Sequence, residues 1–177
     1  GVRLAAIAAA CLFRQKIVTR VVVITEKSLI PHAYAEFVSY FKDDIGKVHI
    51  AAKLDQTLPA GSVLLIIIEA NAFVDNGKAT RTMVAYAARC KRVLLLTVNP
   101  VVHGLQDLVP LAAMVNGNAE VEYGGNYSLD SIKEEFADRI SIFNGIDKAY
   151  PSVNVRDVAL TMARQGGHEV LWADGIA

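Results

Sequence analysis

The run Val63-Leu64-Leu65-Ile66-Ile67-Ile68 is six apolar residues long, with no polar residue interleaved. A strand with one face in water alternates apolar and polar side chains. An unbroken apolar run of this length, set between Gly61 and a polar stretch, reads as a strand buried on both faces. Two further runs have the same character: RVVVITE at 20–26 and RVLLLTV at 92–98. Amphipathic stretches separate them. Strands sealed on both faces and joined through helices specify a parallel sheet with helices on either side.

The remaining elements follow from caps and periodicity. Residues 3–16 read as an alanine-rich helix. Pro31 opens a second helix, PHAYAEFVSYFKDD, with Ala33, Phe37, Val38 and Phe41 on one stripe and Gly46 after its end. Strands are expected at 47–52, 62–69 and 119–123, and helices at 78–90 and around 103–115. Ser128 caps a helix that begins SLDSIKEEF, with Asp130 and Ser131 in its first turn. Residues 155–165 read as another helix and 168–173 as a last strand. The expected fold is α/β: a single domain over 1–177, an open three-layer Rossmann-like sandwich with a mostly parallel sheet of about five strands.

Charge and cysteine usage narrow the partners. Eighteen basic and eighteen acidic residues cancel, so no global field favours nucleic acid or an anionic membrane, and neither is expected as a partner. The apolar stretch LAAIAAACLF is ten residues long, too short to span a bilayer, and no small-residue cleavage pattern follows it. It reads as a packing helix whose apolar faces favour a homo-oligomer, most simply a dimer. Cys11 and Cys90 make neither a disulfide framework nor a metal spacing. They are expected to be buried, reduced thiols, as in a cytoplasmic protein. His49 falls on a strand and is expected to be packed. No metal and no cofactor is expected.

Over about residues 4–115 the order of elements resembles that of a sugar isomerase (SIS) domain. The segment Pro59-Ala60-Gly61-Ser62-Val63-Leu64-Leu65-Ile66-Ile67-Ile68-Glu69 matches the polar lead and third strand of that family. Thr80-Arg81-Thr82-Met83-Val84-Ala85-Tyr86-Ala87 echoes the start of the following helix, and Val93-Leu94-Leu95-Leu96-Thr97 the next strand. The resemblance implies two polar loops, after the first and third strands, that grip a sugar phosphate, and a site built at a subunit contact. Two features depart from the family. The first loop, Thr25-Glu26-Lys27-Ser28, has no glycine, and the second lacks a Ser-Gly pair. Residues 116–177 lie outside the resemblance.

The candidate site residues gather at strand ends. Asn71, Asn76, Gly77, Lys78, Thr80 and Thr82 lie between the third strand and its helix. A helix N-terminus offers unpaired N–H groups and partial positive charge, which suit a phosphate. Glycine allows close approach, lysine adds a cation and threonines add hydroxyls. An alternative reading is that Asp75 or Asn76 simply caps the helix. Ser28 could hold a sugar hydroxyl or phosphate. Glu69 is placed to abstract a proton beside a sugar carbonyl, and His103 to act as a ring-opening acid. No G-x-G-x-x-G, Walker loop or G-x-S-x-G elbow is present. The expected function is binding of a phosphorylated small molecule by a SIS-type domain, with aldose–ketose isomerisation as its chemistry. The competing expectation is a noncatalytic α/β domain kept for assembly or regulation.

Overall fold

The computed structural model of the chain describes residues 1–121, 128–137, 159–165 and 168–174. Helix α1 (Val2–Arg14) leads into strand β1 (Arg20–Ile24), helix α2 (Ile30–Phe41) and strand β2 (Val48–Ala51). Strand β3 (Val63–Ile68), helix α3 (Lys78–Ala87), strand β4 (Arg92–Leu96) and helix α4 (Leu108–Asn116) follow. Helix α5 (Leu129–Glu135) begins at Ser128, whose side chain accepts from the Ser131 N–H at 3.1 Å. That is the cap expected from sequence.

The four strands form one parallel sheet in the order β2-β1-β3-β4. Alternate residues of each strand serve two separate cores. Val21 and Val23, with Leu64, Ile66 and Ile68, face Ala5, Ala6, Ala9 and Ala10 of α1 and Ala33, Phe37 and Phe41 of α2. Val22 and Ile24, with Leu65 and Ile67, face Met83, Val84, Tyr86 and Ala87 of α3 and Leu108, Leu111 and Met114 of α4. This is why β3 needs an apolar residue at every position: all six are buried. The α/β sandwich read from sequence is the fold observed.

Several local expectations are corrected. Ala119, Glu120 and Val121 are not in a strand, so the described sheet has four strands; residues 122 and 123 lie outside the described set. The segment read as a helix over 155–165 contains strand β5 (Ala159–Gln165), paired antiparallel with β6 (His168–Asp174) in a separate two-stranded sheet. Residues 155–158 lie outside the described set. Helix α2 stops at Phe41 rather than near Gly46, because Lys42 turns to φ 50° and starts a 3₁₀ stretch. Val38 is partly exposed, not on the buried stripe. Cys11 is exposed and Cys90 half-buried, both as free thiols. His49 is exposed, because β2 is an edge strand. No helix among the described residues is long and apolar enough to cross a membrane.

Candidate functional site

The strand order creates a fork at the carboxyl ends of β1 and β3. From β1 the chain turns to one side, to β2, and then crosses to the other side, to β3. The loops after β1 and β3 therefore part company. Open α/β sheets bind ligands in such a crevice. Three loops meet this edge: Thr25–Leu29 after β1, the stretch from Glu69 to Gly77 after β3, and the stretch from Thr97 to Asp107 after β4.

Glu69 closes β3 in a left-handed conformation, φ 60° and ψ 55°. The left-handed well costs a residue with a Cβ about 1 kcal/mol or more, and no local turn glycine relieves it. The carboxylate is half-buried at the fork. Thr25 directly follows β1; its hydroxyl oxygen is buried and has no hydrogen-bond partner among the described residues. The sequence reading placed Thr25 in the TEKS loop but gave it no role; its position directly after the first strand was the available signal. Ser28 is exposed in a 3₁₀ turn (Lys27–Leu29) that leads into α2, whose N-terminus has no side-chain cap.

The loop after β3 is organised by Asp75. Its Oδ1 accepts the Gly77 N–H at 3.2 Å and the Thr80 hydroxyl at 2.5 Å. This carboxylate lies two residues ahead of the Gly77 N-cap of α3, at the end of the helix where a negative charge is favoured by the dipole. The Thr80 hydroxyl, followed by the Gly77 N–H, holds the Asp75 carboxyl below the usual carboxylate range. Gly77 also has a steric reason: a Cβ there would sit 2.8 Å from the Asp75 carboxylate. Asn76 accepts from Arg81 Nε at 2.8 Å, and Lys78 is exposed as the first residue of α3. Thr80, read from sequence as a ligand hydroxyl, is fully buried, and Thr82 is half-buried. Thr80 faces inward because it caps the loop against Asp75.

Replacing Asp75 by alanine should therefore cost about 1–2 kcal/mol, the loss of the Gly77 N–H bond together with an unpaired buried hydroxyl at Thr80. Because the folded carboxyl is held low, this stabilisation is complete above the ordinary carboxylate range. It is lost as pH falls through the lowered value. Urea unfolding at neutral pH and in acid measures both effects. A wild-type–Asp75→Ala difference that persists unchanged in strong acid would contradict the assignment.

Asn71 and the β4 loop are tied together. The Thr97 hydroxyl donates to Asn71 Oδ1 at 3.0 Å and accepts from the Asn99 N–H at 3.2 Å. Further on, buried Asp107 gathers three backbone N–H groups on Oδ2: Val102 at 2.7 Å, His103 at 2.6 Å and Gly104 at 3.4 Å. The His103 backbone is thereby fixed while its side chain stays exposed. No hydrogen bond or ion pair among the described residues links His103 to Glu69. The structure thus connects Asn71 with Thr97 and the Asp75–Gly77–Thr80 set within itself, and leaves Ser28, Lys78 and His103 exposed. No group of three or more His, Cys, Asp or Glu side chains among the described residues could hold a metal ion. Comparison with family models, with curated proteins and with solved structures finds no match for the chain.

Proposed function

We infer that the chain is a SIS-type domain that binds a phosphorylated small molecule, in the first instance a sugar phosphate, at the fork between β1 and β3. The observation that carries this reading is Glu69: a non-glycine residue kept in a left-handed conformation at the end of the central apolar strand. Strain retained at a strand end beside a switch point is a recurrent mark of a site. In this reading Glu69 is the base that takes a proton beside the sugar carbonyl. Ser28 and Lys78, both exposed, supply a hydroxyl and a cation to the phosphate, and His103 serves as the acid. Thr80 acts through Asp75 rather than on the ligand.

A thermal-shift series with sugar phosphates, free sugars and nucleotides tests the reading, since a ligand that binds only the folded state raises its melting temperature. Sugar phosphates should raise it saturably and free sugars should not. Glu69→Gly should raise the ligand-free stability by about 1 kcal/mol, through relief of the left-handed strain, while abolishing any isomerisation. A series in which no phosphorylated compound shifts the melting temperature removes the proposal.

One observation favours the second reading, a noncatalytic domain of assembly or regulation: Asp75 already takes up the Gly77 N–H and the Thr80 hydroxyl at the start of α3. The two readings share a homodimer. Leu4 and Ile7 on α1, and Tyr34 and Val38 on α2, leave large apolar side chains in water. Such surface is commonly covered by association. Light scattering should give twice the chain mass, and a monomer at micromolar concentration would remove this part.

A further inference from the structure

At the opposite end of the sheet from the fork, β1 and β2 begin side by side, and three basic residues come onto one face. The pleat that turns Val22 into the α3 side of the sheet places Arg20, two residues earlier, on that same face. Val22 is level with His49 in the parallel register, so His49 shares that face, and Lys47 precedes it by two residues. Arg20, Lys47 and His49 line one cleft of about 150 Å³, with Val22 among its apolar lining and Leu58-Pro59 as a wall. No carboxylate lines it. No hydrogen bond or ion pair among the described residues engages any of the three basic side chains. Asp55 lies outside the lining; its carboxyl feels the His49 charge, and its Oδ1 accepts from the Thr57 N–H at 2.9 Å and the Thr57 hydroxyl at 2.6 Å.

We propose that this cleft between β1, β2 and the Leu58-Pro59 turn is a second anion site, which takes a phosphate group. Three donors of positive or potentially positive character converge from two adjacent strands about 4.8 Å apart. No salt bridge neutralises Arg20 or Lys47 among the described residues, and a dianion would balance their charge. The guanidinium presents a planar fork suited to two oxygens of a tetrahedral anion, and the ammonium and imidazole each reach another. The volume suits a tetrahedral oxyanion and a few waters, and the cleft opens to solvent. A phosphate carried by a bigger molecule would therefore enter with the rest of that molecule in solvent. The site lies across the sheet from Glu69 and does not depend on the function proposed above.

The test is calorimetric titration of the full chain with inorganic phosphate, and separately with a simple phosphate monoester. Saturable one-to-one binding of inorganic phosphate is expected. Arg20→Gln and Lys47→Gln should each weaken it about tenfold, as the loss of one charge-assisted contact does. His49→Gln should weaken it less. Lys133→Gln, on the surface of α5, should leave it unchanged. Arg20 and Lys47 are exposed, so these variants keep the fold, and unfolding curves confirm that each does. If the monoester binds as inorganic phosphate does, with the same variant pattern, the natural source is a phosphorylated molecule. If only inorganic phosphate binds, the source is the free ion. Absence of saturable binding overturns the proposal. So does an affinity that the Arg20 and Lys47 variants leave unchanged, or one that Lys133→Gln lowers equally.

Discussion

Phe37→Ala is expected to remove about 3–5 kcal/mol of stability, among the largest losses available from one side chain in this fold. Phe37 is fully buried in the middle of α2. Its ring stacks on Phe41 at a centroid distance of 6.0 Å, and Phe41 in turn meets Phe13 of α1 at 5.3 Å. The layer above it is built from Ala5, Ala6, Ala9 and Ala10. Alanines let α1 lie close, but they have no length to swing into a vacated space. The hole would persist, and a persisting cavity puts the cost at the upper end of the range. Urea unfolding should show a lower midpoint at unchanged slope. Val38→Ala, one residue along on the partly exposed side, should stay within about 0.5 kcal/mol. A loss below about 1.5 kcal/mol at Phe37 would mean that α1 and α2 do not pack on the sheet as described.

Asp107→Ala should cost about 3 kcal/mol, and here the loss is polar. One carboxylate oxygen receives the N–H groups of Val102, His103 and Gly104. Hydrogen bonds to a charged acceptor are the stronger kind, and its removal strands three donors near a buried position. Asp107→Asn keeps an acceptor in the same place and should cost about 1 kcal/mol. Amide hydrogen exchange separates a local effect from a global one. The amides of residues 102–104 should exchange by local opening in the alanine variant and stay protected in the asparagine variant. Unchanged exchange at those amides would show that Asp107 does not organise the β4 loop.

The sheet was legible because its strands advertise themselves twice, by continuous apolar runs and by the helical stretches between them. The unbroken run at 63–68 marked β3 as buried on both faces before any pairing was known. Boundaries were less legible, since α2 ends where Lys42 takes a positive φ that no residue type announces. The stretch Ala159–Gln165 was misread because Ala, Leu, Met, Arg and Gln all favour helices. The contrary signal was present: a Gly-Gly pair followed by HEVLWAD is a hairpin pattern. At the candidate site, the loops after the first and third strands lie where the sequence placed them. What a sequence cannot display is which polar groups spend themselves on each other. Thr80 and Asp75 are such a pair, as are Asn71 and Thr97, and Asp107 with a loop backbone. Lys42 and Glu69, with left-handed backbones, belong to the same class of invisible features.

The parallel order β2-β1-β3-β4 also governs how the chain must come to this state. Every partner in the sheet is reached through an intervening helix or long connection: Val21 meets Val48 and Leu64, and Leu64 meets Arg92. No tight hairpin exists within it to serve as a local seed, so each pairing waits on closure of a long loop, and collapse into the sheet is expected to be slow. A nascent chain that has released β1 and β2 still holds one long edge of Val21–Ile24 bare until residues 63–68 emerge. During that interval an apolar strand offers unpaired N–H and C=O groups to any neighbouring chain.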